Sequence, residues 1–247
     1  FGLGGDSAAS GQGVDYALKP RGALAGGSYR FGQTPYWFGL RYMLFTTEVE
    51  LQDPPSVPGL EPGDFGLDLA ALTLTATLDT RNNFFTPTAG WYADLSVPFY
   101  REAFGSDRDF ETLALTGMHY RPVSETLHFA VRATARTSTD DTPFFLRPYV
   151  MLRGVQALRI QGEDAAEIEA ELRWQFRSRY SLVAFGGAGM ARSETALSDR
   201  DESVTAGGVG FRYLVARRHG LHMGLDVAWG PDDPVLYVIV GSAWLRP

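Results

Sequence analysis

Hydrophobic and polar residues alternate along most of this chain with a period of two. Leu72, Leu74, Ala76 and Leu78 interleave with Thr73, Thr75, Thr77 and Asp79. Leu127, Phe129, Val131, Ala133 and Ala135 interleave with His128, Arg132, Thr134 and Arg136. Ile168, Ala170, Leu172, Trp174 and Phe176 alternate with Glu167, Glu169, Glu171, Arg173 and Gln175, and Leu221 to Trp229 repeats the pattern. Alternation sustained over about ten residues predicts strands with one apolar and one polar face. Asp164 to Leu172, the nearest candidate for a helix, also reads as a strand.

Strand length then separates a soluble sandwich from a membrane barrel. Soluble strands average about 5–6 residues, whereas a tilted membrane strand needs about 9–11. Tyr36 to Glu50, Leu67 to Thr80 and Val204 to Ala216 belong with the longer class. Several apolar faces end in Trp or Tyr (Tyr36, Trp91, Trp174, Trp229), in the manner of interfacial aromatic girdles. Short links alternate with long, acidic, Gly/Pro-bearing ones at Gln52 to Gly66, Glu102 to Asp109, Ser138 to Asp164 and Arg192 to Glu202. Barrels of the outer membrane have short periplasmic turns and longer extracellular loops. The link Thr80 to Gly90 is the exception, long where parity expects a short one. Eleven strands can be placed at about 22–32, 36–50, 67–80, 91–101, 110–122, 126–138, 166–177, 180–192, 203–216, 219–229 and 235–245. An even number requires a twelfth in Phe1 to Pro20. The expectation is one domain over the whole chain, all-β: a closed antiparallel transmembrane β-barrel of about twelve strands, with a long extracellular loop folded into its lumen.

Composition narrows the chemistry. The 247 residues include no Cys, which removes disulfides and Cys-ligated metal. A net charge of -7 without a basic run argues against nucleic acid as a partner. No stretch of about 18 apolar residues exists, so no transmembrane helix is predicted. The four histidines, His119, His128, His219 and His222, lack the Ser and polar orienter that a phospholipase-like site would need beside them. His119 has only Thr116 nearby. Acidic groups such as Asp140-Asp141 and Asp232-Asp233 fall in loops without calcium-loop spacing. No catalytic residue, metal or cofactor is therefore assigned, and an enzyme is not expected.

Two segments go beyond pattern: Asp79-Thr80-Arg81 through Pro87 to Gly90, and Leu152-Arg153-Gly154 ahead of Glu169-Ala170-Glu171-Leu172-Arg173. Together they resemble the C-terminal barrel of the BamA/TamA outer-membrane assembly superfamily, also called the bacterial surface-antigen family. That family has a D-x-R…P-x-x-G turn between two strands on the periplasmic side. It also has an R-G-[FY] tip on a lumenal loop, shortly before an E-[LF]-R strand, with five strands following. The resemblance covers roughly Tyr36 to Trp244. Val155 replaces the aromatic of the tip, and Gly187 stands where the family's F-x-D-x-G strand has its aspartate. No POTRA module is expected within the chain, and about seven strands precede the loop.

The resemblance implies a bacterial outer-membrane protein acting in protein or lipid assembly or translocation. Its implied partners are outer-membrane lipids, protein clients and a separate periplasmic partner. Arg153 in a polar lumen needs a carboxylate. With Gly187 unable to serve, the candidates by parity are Glu169, Glu171 and Asp226. The terminal strand Val235 to Trp244 is strongly β-forming, whereas its expected partner in Phe1 to Pro20 is rich in Gly and Ser. That seam is expected to open toward a client or lipid, or to pair with a second copy in a homodimer. A plugged structural barrel or small pore is the second reading, and an outer-membrane phospholipase-like enzyme the third.

Overall fold

The computed structural model describes residues 16–51, 66–195 and 198–245. It is a single antiparallel sheet in which eleven strands follow one another in chain order. They are β1 (Tyr16–Arg30), β2 (Tyr36–Leu51), β3 (Gly66–Asp79), β4 (Gly90–Tyr100), β5 (Phe110–Pro122) and β6 (Leu127–Ser138). After the long loop come β7 (Asp164–Arg177), β8 (Tyr180–Thr195), β9 (Ser198–Ala216), β10 (Leu221–Trp229) and β11 (Val235–Val240). Among the described residues no helix is long and apolar enough to cross a membrane, which does not bear on crossing by strands.

The sheet is curled around one face. Asn83, in the β3–β4 link, donates from Nδ2 to the carbonyl of His219, in the β9–β10 link, at 2.9 Å. Six strand spacings separate those links, about 29 Å on a flat sheet. The face that closes on itself carries the polar set. On β7, Glu167, Glu169 and Arg173 are buried, while Ile168, Leu172 and Trp174 are exposed. On β10, Asp226 is buried while Leu225 and Trp229 are exposed and Val227 is half-buried. An inward polar face with an outward apolar one is the pattern of a barrel in lipid.

Three expectations are corrected, and the expected twelfth strand lies outside the described residues. Eleven strands are described, and β1 and β11 are not paired with each other. Closure is therefore not part of the described sheet. The first strand starts at Tyr16, inside the stretch expected to hold a twelfth; Phe1 to Asp15 lie outside the described residues. The last strand stops at Val240. Gly241 turns the chain at φ +81°, its N–H bonds the His222 carbonyl at 2.7 Å, and the Ser242 N–H bonds the Phe85 carbonyl at 2.6 Å. Trp244 is thereby buried with Tyr92, Met118 and Tyr120 instead of extending the strand. Finally, β8 and β9 continue through most of Arg192 to Glu202, where a loop was expected, with Arg192 opposite Asp201 in the ladder.

The long loop, residues 139–163, crosses the enclosed face. Near its start Phe145 packs with Leu67, Leu69 and Phe110 of β3 and β5. Its far end places Val150, Leu152, Val155 and Ile160 against Ala165, Ala191 and Val204 of β7–β9. Two apolar seats, on β3/β5 and on β7–β9, hold the loop against the enclosed face.

Candidate functional site

The tip of the loop is a tight turn, with the Val155 N–H bonded to the Leu152 carbonyl at 3.1 Å. Two features of the sequence let it sit there. Gly154 adopts φ +90°, and a Cβ at that position would stand 3.0 Å from the Trp229 carbonyl carbon. On the wall behind, a Cβ on Gly187 would meet Leu152 Cδ2 at 2.9 Å, and one on Gly189 would meet Val150 Cγ1 at 2.4 Å. The absent side chains of β8 are the space that the loop occupies. The Gly154 N–H is also bonded, at 3.0 Å, to the Tyr237 hydroxyl on β11.

Arg153 lies among three carboxylates. Its Nε donates to Glu169 Oε1 at 2.5 Å and its Nη1 to Asp226 Oδ2 at 2.8 Å. Glu171 Oε2 is 2.9 Å from Nη1. The guanidinium carbon stands 3.6 Å from the ring centroid of Phe185. A delocalised, weakly hydrated cation between carboxylates and an aromatic face is the role for which Arg is suited and Lys is not. Charge compensation also makes the burial tolerable, since each of these groups alone would carry a large desolvation penalty.

A wider network surrounds the tip. Arg136 makes two bonds to Glu167, at 2.7 and 3.1 Å, and also donates to the Tyr149 carbonyl of the loop. Arg132 donates to the Met151 carbonyl at 2.5 Å and to Glu169 at 3.3 Å. Arg212 pairs with Asp226 through both terminal nitrogens. Trp244 Nε1 donates to Glu169 Oε2 at 3.3 Å. The wall arginines of β6 thus hold both the wall glutamates and the loop backbone. The sequence alone does not mark Arg132, Arg136, Glu167, Arg212, Tyr237 or Trp244 as parts of this site. Inward parity marks the charged ones as lumenal, but no local signal assigns partners across strands.

The second motif forms a strap beneath the lumen. Asp79 and Arg81 are joined side chain to side chain, at 2.9 and 2.6 Å, and the Arg81 N–H also bonds Asp79 Oδ1 at 3.0 Å. Arg81 stacks 4.4 Å from the Tyr92 ring centroid. Burial works against the charge of Arg81, but the hydrogen bonds and charge of Asp79 outweigh it and raise its pKa. Gly90 closes the turn at φ +111°, where a Cβ would stand 2.4 Å from the Thr80 carbonyl oxygen. Pro87 borders the lower lumen beside Thr86. Asn83 Oδ1 accepts from Phe85 N–H and Thr86 N–H at 2.8 and 2.9 Å, shaping the strap that reaches His219.

The structure does not bring His119 to Thr116, the hydroxyl near it in sequence. His119 faces outward, stacked on Trp91 at 3.9 Å between centroids. Thr116 faces inward and bonds Thr134 at 3.3 Å. Among the described residues no group of three or more His, Asp or Glu is placed to hold a metal ion.

The Omp85 superfamily domain matches residues 60–230. Among solved structures, the chain is similar to BamA from Haemophilus ducreyi lacking POTRA domains 1–3, with a TM-score of 0.67 and 14% identity. That match covers 91% of this chain and 54% of the other, so this chain spans about half the length of the BamA chain it matches. No curated protein matches. The family match covers most of the chain and both of its motifs, and the curled sheet with its inner loop has the BamA-like fold. The chain belongs to the Omp85 superfamily and is a protein of the bacterial outer membrane.

Proposed function

We propose that this chain serves outer-membrane assembly, inserting or passing protein or lipid clients at a seam along the free edge of β11. The observation that carries the reading is strand direction. In an up-and-down sheet of eleven strands, β1 and β11 run the same way. Direct pairing between them would be parallel, against every other pair in the sheet. An antiparallel strand between them restores the pattern, supplied by residues before β1, by a client, or by a second copy in a seam-to-seam dimer. An edge left bare in hydrocarbon costs several kcal/mol per unsatisfied backbone group. The pull on an incoming strand is correspondingly large. The network around Arg153 supports the same reading, because Gly154 is bonded to Tyr237 on β11 and Arg153 to Asp226 on β10. Loop position and the state of the edge strands are mechanically linked. Unfolded outer-membrane proteins fit such an edge, with lipids around it and a separate periplasmic partner to deliver clients. Chemistry is limited to binding and positioning, with no catalytic residue, metal or cofactor.

The test is reconstitution of the purified chain into vesicles, followed by addition of a urea-unfolded eight-stranded outer-membrane barrel. Insertion should be several-fold faster than into empty vesicles of the same lipids. Equal rates with a correctly folded chain would overturn the proposal. They would favour instead a plugged structural barrel, for which the two apolar seats of the loop speak.

A further inference from the structure

Among the described residues, Arg173 is a buried lumenal arginine that the network above does not absorb. Arg132, Arg136, Arg153 and Arg212 each lie against at least one carboxylate of Glu167, Glu169 or Asp226. Arg173, on the same face of β7, is 8% exposed and makes no hydrogen bond or ion pair with any described residue. Glu171, two residues earlier on that face, is held toward Arg153, and Asp226 is shared between Arg153 and Arg212. The charge of Glu171 favours the Arg173 guanidinium and that of Arg212 opposes it, and a buried guanidinium is expensive without a full counter-charge.

The space beside it is small, with two arginines and one carboxylate among mostly neutral walls. A cavity of about 20 Å³ near the periplasmic end is bordered by Arg173, Arg212, His128, Glu171, Ser242 and Trp244. His128 stands directly opposite Arg173 in the β6–β7 ladder, and its Nδ1 is buried without a hydrogen-bond partner. A guanidinium without a hydrogen bond to any described residue and an imidazole nitrogen without a partner, on facing strands, thus border one cavity. Such a volume admits one or two water-sized occupants. Lipid headgroups and organic phosphates are too large. Water would satisfy the donors but leave Arg173 to share the Glu171 carboxylate with Arg153.

We propose that this cavity is a binding site for one small inorganic anion, chloride in ordinary media, held by the Arg173 guanidinium with His128 as the second donor. The ion supplies a counter-charge beyond the Glu171 carboxylate that Arg173 shares with Arg153, and joins β6 and β7 to the inward turn at Ser242 and Trp244. The site is separate from the loop-tip carboxylates and from the seam, so its existence does not depend on the assembly role.

Two measurements on the detergent-solubilised chain test it. Thermal unfolding is followed while chloride replaces gluconate at constant ionic strength, so that screening is unchanged. The midpoint temperature should rise and saturate for the native chain and stay flat for Arg173→Met. Anomalous diffraction from crystals grown in bromide should show one peak within hydrogen-bonding reach of the Arg173 guanidinium. His128→Leu should raise the chloride concentration for half effect about fivefold, one neutral hydrogen bond's worth. This variant and the bromide peak decide the matter if Arg173→Met does not fold. A native chain indifferent to chloride, an unchanged response in Arg173→Met, or a cavity holding only water would each overturn the proposal.

Discussion

At the scale of the residue, Arg153 shows how a side chain can be legible in type and hidden in geometry. Its need for a carboxylate follows from a charge in a confined lumen, and the three candidate acids follow from strand parity. The stack on Phe185 and the bond from Gly154 to Tyr237 do not, because both join residues far apart in the chain. Arg153→Ala would leave Glu169, Glu171 and Asp226 without their shared cation, a loss of about 3–5 kcal/mol for a broken buried pair. It is expected to lower the unfolding temperature in detergent and to raise single-channel conductance as the tip detaches. Arg153→Lys keeps the charge but not the planar stack and should fall between. Native-like stability and conductance in Arg153→Ala would remove Arg153 as the anchor. Gly187→Asp restores the residue type of the related family, yet its Cβ would stand 2.6 Å from the Ile168 carbonyl oxygen. An overpacking penalty of about 1–3 kcal/mol is expected in the same unfolding measurement. Asp226, reaching in from β10, holds Arg153 from another strand.

Elements were legible wherever one face differed from the other. The period of two located β7 and β10 within about two residues, since a slip of one would turn Glu169 and Glu171 into lipid. Lipid-facing Ile168 and Leu172 should accept spin labels that are relaxed by bilayer-soluble quenchers, while labels at Glu169 should not. Ile168→Arg is expected to cost about 2–4 kcal/mol if it lies near the bilayer midplane. The ends of elements were less legible. Val235 to Trp244 is β-forming almost throughout, so its inward turn rests on Gly241 and on partners in the β3–β4 strap. Extension of β8 and β9 into an expected loop likewise depends on cross-strand pairing. The strap itself was recognisable as a motif, but its span to His219 was not. Asn83→Ala removes the bond to His219 and the two bonds that shape the turn. A loss of about 1–3 kcal/mol and faster proteolysis at the periplasmic end are expected.

The whole molecule is a curled sheet spanned by its own loop, with strap and C-terminal turn filling the periplasmic end. Fold class could be read from the chain because lipid imposes its pattern on every strand. Closure could not, because it depends on what pairs with β11, and backbone edges leave little trace in side-chain sequence. The account's central claim is that this edge must open for the chain to act. The absence of native cysteine makes the test clean. Cysteine pairs scanned between Val235–Val240 and the residues preceding β1 are oxidised in vesicles, and client insertion is followed before and after reduction. The account predicts that a crosslinked seam stops insertion and that reduction restores it. Quantitative crosslinking that leaves insertion at its full rate would contradict it.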